Sequence, residues 1–482
     1  MCEATKHIRM DGRESEATGV ALTMGNSLQG THTSQGSSVG MEPLEGQMPE
    51  TSRSTSVSTK QQRIAELAKR MPGTRLTTLA HHMDEAWLKI AHRRIRKDAA
   101  PGVDGQTAET YEADLDDNVR NLLDRAKNPD RYRAPPVRRV EIPKSASETR
   151  SLGIPTHEDK VLQRAVLMLL EPVYEQDFLP GSFGFRPGRS PHQAIREVRQ
   201  QFASMGGGWL IDLDIRRFFD SVEPRVVQDI LRQRIGDGVV LRLIGKWLRA
   251  GVSLDGVVEH PERGTPQGGV ISPLLANILL HEVLDKWFEE TVRPLLGGRG
   301  FLVRFADDAI LGFEREADAR RVYAVIGRRL GRFGLTLHTD KTRLVPFVRP
   351  SRDGRGGSFD FLGFTFFWGR SRRGRRAIKV KTAKDRHCRA LRRMNQWLRS
   401  VRHWKIEEQH RGLVRKLRGH YAYYAISDNW RRVNSFRHAT QRLWGKWLMR
   451  RAQQRHHNWD WFSRLVQHYP LPNARLVFSL YA

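Results

Sequence analysis

The chain has 482 residues and a formal net charge of +29, from 82 Lys and Arg against 53 Asp and Glu. This length allows about two to four domains. Two cysteines, Cys2 and Cys388, exclude a disulfide framework or a Cys-rich zinc site and favour a reducing, cytoplasmic setting. The absence of an apolar run of roughly 18 residues argues against a membrane-spanning helix.

Residues 1–60 are predicted to form a disordered tail. They contain 17 Ser and Thr and 7 Gly but no aromatic residue. Such a segment buries too little apolar surface to offset its loss of chain entropy. Order is expected to begin near Gln61, and the sequence leaves open whether translation starts at the first Met or at Met24, Met41 or Met48.

The middle of the chain mixes predicted helices with separate strands, which favours an α+β fold followed by an all-helical module. Helices are predicted over residues 61–70, 78–97, 160–174, from 226 onward, 272 to about 289, and 318–333; a strand is predicted over 209–215. Ser272 and Pro273 are typical of a helix start. From Lys384 onward the pattern is almost entirely helical, with breaks expected near Gly419, Asn458 and Pro470.

Two adjacent carboxylates, Asp307 and Asp308, lie between two short apolar runs in Phe-Leu-Val-Arg-Phe-Ala-Asp-Asp-Ala-Ile-Leu-Gly-Phe, residues 301–313. The pattern predicts a strand, a tight turn and a second strand. The two carboxylates repel each other, and a divalent cation such as Mg²⁺ would reverse that repulsion. The alternative is an ordinary solvated turn, because Asp favours turns.

A second acidic site follows the strand predicted over residues 209–215. Asp212 and Asp214 alternate with apolar residues, so they share one face of that strand. Beside the hairpin, this strand would bring a carboxylate to two Mg²⁺ ions, which can activate a primer 3′-hydroxyl and stabilise the leaving pyrophosphate. Asp214 is the predicted ligand, whereas Asp212 and Asp220 are predicted to cap helices or form turns.

Positive charge is concentrated in residues 368–482, which contain 29 Lys and Arg, 5 Asp and Glu, and 8 of the 12 Trp. Basic and aromatic side chains together favour a polyanion with exposed bases. A solvated basic face and an anionic membrane surface are the alternatives; sustained coiled-coil heptads are not evident. The predicted RNA-binding residues are Arg392, Arg393, Arg415, Lys416, Arg418, Arg431 and Arg432.

From about Gln61 to the C-terminus, collinear blocks resemble the bacterial group II intron-encoded reverse transcriptase/maturases. The block over residues 305–308 matches the signature hairpin of reverse transcriptases, that over 213–220 matches their first catalytic block, and that over 264–277 is the most specific. Further matching blocks cover residues 142–144 with 150 and 152–156, 183–189, 334–342, 359–364, and 417–424, the last being the maturase signature.

The resemblance implies a right-hand polymerase, with fingers and palm over residues 61–375 and a helical thumb/maturase domain over 376–455. The tail, residues 456–482, would be a remnant of a DNA-binding region, with neither endonuclease nor zinc. The implied activity is RNA-directed DNA polymerisation in the bacterial cytoplasm, using dNTPs, an RNA template and a DNA primer. Group II intron RNA and target DNA are the further implied partners, for splicing and retrohoming, and the oligomeric state is left open.

The resemblance also assigns site residues. Catalytic roles fall to Asp214, Asp307 and Asp308, and metal-ligand roles around two Mg²⁺ ions to Asp214, Ile215, Asp307 and Asp308. Nucleotide-binding roles fall to Lys144, Arg150, Phe219, Gln267 and Lys341. Lys144 and Arg150 would bind the triphosphate, the Phe219 ring would exclude a 2′-hydroxyl, the Gln267 loop would approach the new base pair, and Lys341 would protonate the pyrophosphate.

Ordinary surface charge, core packing and a structural lysine are the respective alternatives for the cations, for Phe219 and for Lys341. Two alternative functions are a repurposed group II-like reverse transcriptase in host defence, without an intron, and an RNA-binding splicing factor without polymerase activity. The three aspartates argue against the second of these.

Overall fold

The computed structural model describes residues 50–143, 149–254, 257–259, 268–351, 356–371, 373–450 and 458–481. The described helices are α1 (Glu50–Arg70), α2 (Glu85–Arg93), α3 (Ala108–Ala113), α4 (Leu115–Lys127), α5 (His157–Asp177), α6 (Pro191–Met205), α7 (Phe218–Ser221), α8 (Pro224–Arg234), α9 (Gly238–Leu248), α10 (Ser272–Leu280), α11 (Glu316–Gly331), α12 (Lys384–Ser400), α13 (Ile406–Tyr424), α14 (Trp430–Met449) and α15 (Trp459–His468). After α10, wider π-type turns carry the helical path on to Val292.

The strands form three sheets. They are β1 (Val137–Pro143), β2 (Thr149–Ile154), β3 (Gly207–Leu213), β4 (Val252–Leu254), β5 (Val257–Glu259), β6 (Gly300–Phe305), β7 (Asp308–Phe313), β8 (Arg343–Val348), β9 (Ser358–Phe361), β10 (Phe364–Arg370) and β11 (Arg376–Thr382). Their orders are β2-β1-β4-β5, β6-β7-β3-β8 and β11-β10-β9. The mixture of separate strands and helices agrees with the predicted α+β class.

The sheet β6-β7-β3-β8 is antiparallel throughout and separates two apolar cores. Alternate residues of a strand point to opposite faces. Ile211 and Leu213 therefore enter the core shared with the helices α5, α8, α9 and α10, whereas Leu210 packs in the core that contains Phe202 of α6. A third core lies among α12, α13, α14 and α15.

The N-terminal helix begins at Glu50, eleven residues before the predicted onset of order at Gln61. Val57 is fully buried, and it lies seven residues, or two helical turns, before the buried Ile64. The burial of Val57 extends the apolar stripe of the helix into the Ser/Thr-rich segment. The prediction of a disordered tail up to residue 60 is therefore wrong for residues 50–60; residues 1–49 lie outside the described part.

The break predicted near Gly419 is also wrong, because α13 continues through it. Gly419 lies on the exposed face, while Leu413, Leu417 and Tyr421 are buried at a spacing of four residues on the other face. Burial of that stripe outweighs the cost of about 1 kcal/mol for an interior glycine. The breaks near Asn458, which caps α15, and near Pro470 are confirmed.

The domain boundary predicted at residue 375 lies in the connection between β10 and β11, and the first helix of the C-terminal module begins at Lys384. Since β10 and β11 pair over seven residues, the predicted boundary divides one sheet, β11-β10-β9, and the C-terminal module is continuous with that sheet. Among the described residues, no helix has both the length and the apolar character needed to cross a membrane.

A fully buried arginine, Arg304 in β6, ties the predicted hairpin to the elements behind it. Its guanidinium donates two hydrogen bonds to the Asp285 carboxylate, at 2.8 and 2.7 Å. The other three N–H groups donate to the Asn277 side-chain oxygen and the Ala306 carbonyl, both at 2.9 Å, and to the Ser182 hydroxyl at 2.8 Å. All five guanidinium donors are therefore satisfied, as burial of this charge requires.

The Asp285 carboxylate of this ion pair remains charged at neutral pH. Burial by itself would raise the pKa of Asp285, but the Arg304 guanidinium lowers this pKa below its ordinary value. Asp285 is therefore an anion wherever the protein is folded near neutral pH, and it depends on Arg304 for its counter-charge.

Arg304→Met is expected to lower the free energy of unfolding by about 3–5 kcal/mol, because it leaves the buried Asp285 without its partner. Arg299→Met is the matched control, since it breaks the exposed Arg299–Glu314 pair beside the same hairpin and should leave the free energy of unfolding nearly unchanged. Denaturant unfolding compares the two variants. Equal, small losses would contradict the structural role given to Arg304.

Candidate functional site

The predicted hairpin is present, and its turn lies beside the end of β3. β6 and β7 pair from Gly300 opposite Phe313 to Phe305 opposite Asp308, which leaves Ala306 and Asp307 as a two-residue turn. Leu213 of β3 pairs with Ala309 of β7. One further step in this register places Asp214 opposite Asp308, so two strands bring the predicted catalytic carboxylates to one edge of the sheet.

The backbone of the turn restricts which residues can occupy it and its surroundings. Ala306 has a positive φ of 58°, a conformation that the first position of a two-residue hairpin turn requires and that glycine adopts most easily. Gly184 packs directly against it: a Cβ atom added there would lie 2.2 Å from the Ala306 nitrogen. The Gly184 carbonyl accepts a hydrogen bond from Asn277 at 2.6 Å, so Asn277 connects this contact to Arg304.

The other carboxylate is fixed through its backbone. The Asp214 carbonyl accepts hydrogen bonds from the His338 N–H at 2.9 Å and from the buried Thr342 hydroxyl at 3.2 Å. Ile215 then forms an antiparallel bridge with Leu337. Because successive carbonyls of an extended chain point to opposite sides, the Ile215 carbonyl points away from Leu337 and toward the side of the hairpin turn.

Burial and the neighbouring carboxylates raise the pKa of Asp308. The pKa of Asp308 is raised to about 6, first because the surrounding protein removes part of its hydration and then because Asp307 and Asp214 repel its negative charge. The Asp308 side chain is nevertheless exposed to solvent. The raised pKa therefore shows that a negative charge on Asp308 is unfavourable at the opening of the site. The site therefore favours a cation.

One carboxylate oxygen has no hydrogen-bond partner. Oδ2 of Asp214 is shielded from water and accepts no hydrogen bond, although Nζ of Lys341 lies 3.3 Å away. An unsatisfied buried oxygen beside mutually repelling carboxylates fits a hard divalent cation such as Mg²⁺. In their present positions, no three His, Cys, Asp or Glu side chains among the described residues are close enough to hold a metal ion together.

A cavity of about 470 Å³ opens beside Asp308, between the central sheet, the β9–β10 turn and the start of the helical module. It also contains Asp212, Asp360, Asp385 and Arg386. The last three were not among the predicted site residues. Asp360 belongs to a matched block, but no sequence pattern indicates that α12 would bring Asp385 and Arg386 to the same cavity.

Asp212 corrects a prediction, because it neither caps a helix nor forms a turn. It lies in β3, where its carboxylate accepts a hydrogen bond from Arg343 of β8 at 3.1 Å. Burial raises the pKa of Asp212 despite this partner. Asp220 is an exposed residue of the four-residue helix α7, whose N-cap is Arg217, so Asp220 does not cap that helix. Its N–H donates to the Arg217 carbonyl at 2.9 Å, which agrees with the turn predicted as the other possibility.

The structure describes only some of the predicted nucleotide-binding residues. Lys144 and Gln267 lie outside the described residues, and Arg150 is placed by its backbone in β2, opposite Ile142. Phe219 is half-buried and meets Phe218 edge-on at 5.2 Å, packed against the large core. Lys341 is brought to Asp214, as given above.

The predicted RNA-binding residues lie on three helices of the C-terminal module. They are Arg392 and Arg393 on α12, Arg415, Lys416 and Arg418 on α13, and Arg431 and Arg432 on α14. All are exposed except Arg432, which is half-buried. Among the interleaved tryptophans, Trp444 is fully buried, whereas Trp404 and Trp430 are exposed. Core packing therefore accounts for only some of the tryptophans.

Asp308→Asn is expected to raise the melting temperature at pH 7 without added Mg²⁺, by relieving the repulsion among the carboxylates. An acid whose pKa is raised by folding destabilises the protein as the pH rises from about 4 to about 6. The gain should therefore be absent below pH 4. Mg²⁺ should raise the melting temperature of the unsubstituted protein more than that of Asp308→Asn, and equal responses would contradict a cation site here. Thermal unfolding with and without Mg²⁺ measures both effects.

Residues 142–366 match the family model described as "Reverse transcriptase (RNA-dependent DNA polymerase)". Protein YkfC of Escherichia coli K12 is 35% identical over 355 residues, covering 66% of this chain and 90% of that protein. The group II intron-encoded protein LtrA of Lactococcus lactis is 36% identical over 199 residues, which cover 41% of this chain and 33% of LtrA. Nuclear intron maturase 1 of Arabidopsis thaliana is 40% identical over 95 residues, 20% of this chain and 13% of that protein.

The matched region contains both acidic segments and the turn that joins β6 to β7. The similarity to YkfC extends over nearly all of that protein, while LtrA is matched over only a third of its own length. The chain therefore belongs to the reverse transcriptase family, as an RNA-directed DNA polymerase of the bacterial group II intron reverse transcriptase/maturase type.

Proposed function

We propose that this chain extends a DNA primer on an RNA template with dNTPs, and that it binds a group II intron RNA to assist splicing and retrohoming into target DNA. The observation that supports the polymerase site is the strand register: its last pair is Leu213 with Ala309, and the next residue on each strand toward the turn is Asp214 or Asp308. Asp214, Asp307, Asp308 and the Ile215 carbonyl would hold two Mg²⁺ ions. When bound, these ions would supply Lewis-acid activation of the primer hydroxyl and charge neutralisation at the triphosphate.

The residues around this site would bind and orient the nucleotide. Arg150 of β2 and Lys144, which follows the last residue of β1 in the sequence, would pair with the triphosphate, and Gln267 would approach the new base pair. Phe219 follows Asp214 by five residues on α7, where its ring would pack under the sugar. Lys341 lies 3.3 Å from Asp214 in the structure. It would leave that carboxylate to protonate the pyrophosphate.

In the hand-like arrangement that we propose, residues 61–375 provide the fingers and palm, and residues 376–455 provide a thumb that contacts RNA. The seven basic residues on α12, α13 and α14 would contact phosphates, and residues 456–482 would contact DNA. Lys416 is an example of a basic group beside an aromatic one, since its ammonium lies 4.8 Å from the centre of the Trp397 ring. The described helices bring basic and aromatic groups together, as RNA contact requires.

Asp307→Ala is expected to lower cDNA synthesis by at least about a hundredfold, because a group that stabilises charge in the transition state is lost. Protein-assisted splicing of the intron transcript at low Mg²⁺ should remain, since the helical module is unchanged. Asp229→Asn, an exposed residue of α8 paired with Arg232, is the control and should retain both activities. Loss of splicing equal to the loss of cDNA synthesis in folded Asp307→Ala would refute separate sites for the two functions.

RNA binding by the C-terminal module is expected to weaken steeply with salt, because phosphate contacts release counterions. Changing Arg415, Lys416 and Arg418 together to Gln should reduce the slope of log affinity against log salt by about two. The same number of Gln substitutions at Arg320, Arg321 and Arg328 of α11 removes equal charge elsewhere and should leave the slope nearly unchanged. Equal slopes in both triple variants would show that net charge alone attracts the RNA.

A further inference from the structure

A second cavity, of about 590 Å³, lies where β11, the α13–α14 connection and the C-terminal segment meet. Two aromatic residues, Trp430 and Tyr481, line it, and they are 60% and 58% exposed. Of the other ten lining residues, five are apolar (Ala425, Ile426, Val433, Ala474 and Leu476) and five are polar or charged (Ser371, Lys379, Ser427, Asp428 and Arg475). No catalytic or nucleotide-binding role uses this cavity, and the DNA contact proposed for residues 456–482 is left to the residues of that tail that do not line it.

Trp430 is presented on a rigid backbone. The preceding residue, Asn429, is fully buried and accepts a hydrogen bond from the Thr382 N–H at 2.7 Å. Its amide also donates to the Thr382 hydroxyl at 2.7 Å and to the Tyr424 carbonyl at 2.8 Å. An exposed indole on an anchored helix start loses little conformational entropy when it binds a flat ligand.

Tyr481 is also held in place. Its hydroxyl donates to the Asp428 carboxylate at 2.5 Å, and the Arg199 guanidinium carbon lies 4.0 Å from the centre of its ring. The segment that carries Tyr481 is fixed by a hydrogen bond from the Val477 N–H to the Ala425 carbonyl at 2.8 Å. The cavity therefore combines two positioned aromatic rings with apolar side chains such as Ile426, Val433 and Leu476.

The charge around the cavity indicates what would enter it. Lys379 and Arg475 line it against a single acid, Asp428, and Arg431 directly follows Trp430 in α14. The surrounding region, residues 368–482, has an excess of 24 basic over acidic side chains. Such a surface attracts a polyanion, and exposed aromatic rings stack with unpaired bases, whereas bases inside a duplex are inaccessible to them.

We infer that this cavity captures an unpaired base of the bound RNA by stacking it against Trp430 and Tyr481. The inference rests on the proposed binding of RNA by the helical module and adds a preference for RNA with unpaired bases. Arg475 holds a flanking phosphate, and Lys379, whose ammonium lies 3.9 Å from the Asp428 carboxylate, adds positive charge beside it.

The test compares two synthetic hairpin RNAs, one fully paired and one with a single bulged adenosine, in filter binding to the full chain. Trp430→Ala is expected to weaken binding of the bulged hairpin about tenfold and to leave the paired hairpin unchanged. Trp430→Phe keeps a ring and should restore most of the loss. Trp404→Ala and Trp459→Ala are matched controls, because these tryptophans are 51% and 53% exposed but do not line the cavity.

Each of the other outcomes would overturn either this inference or the proposed RNA binding on which it rests. Equal weakening of both hairpins, or an equal effect of the control variants, would overturn the inference, because the loss would not depend on an unpaired base in this cavity. If Trp430→Ala left the binding of both hairpins unchanged, the inference would also be overturned, and a peptide would become the candidate ligand of this cavity. If the unsubstituted chain bound neither hairpin in a salt-dependent manner, the proposed RNA-binding function itself would fail.

Discussion

The geometry of the candidate active site depends on one buried ion pair, Arg304 with Asp285. Arg304 lies in the strand that leads into the turn, and its five N–H groups contact that turn, two helical segments and the loop before α6. A buried ion pair contributes little net stability compared with well-packed apolar residues. Its contribution here is positional, because any shift of the turn would leave a buried charge without its partner.

The turn is restrained from both sides. Arg304 binds the Ala306 carbonyl, and Gly184 approaches the Ala306 nitrogen so closely that no other residue fits without displacement. On the neighbouring strand, His338 and Thr342 hold the carbonyl of Asp214. Backbone contacts thus position both acidic segments, and the carboxylates themselves remain available for ligands.

This arrangement keeps negative charges close together at a cost in stability. The raised pKa of Asp308 shows that the site resists full ionisation in the absence of a cation. Lys341 offsets part of the charge of Asp214. A loss of stability caused by closely spaced like charges is expected where a protein binds cations and phosphates.

Local sequence patterns determined the elements that carry the site. Apolar runs on both sides of Asp307-Asp308 predicted the hairpin, and alternation in residues 209–215 predicted the strand. They failed where distant contacts decide: Val57 extends α1 toward the N-terminus, and the buried stripe of α13 carries the helix through Gly419. Asp212 likewise pairs with Arg343, 131 residues away. Only the tertiary structure could place Arg304, Asn277 and Asp285 around the turn, or Trp430 and Tyr481 around one cavity. The physical reason is that periodicity records which face of an element is apolar, whereas the partner of a buried charge is chosen by the packing of distant segments.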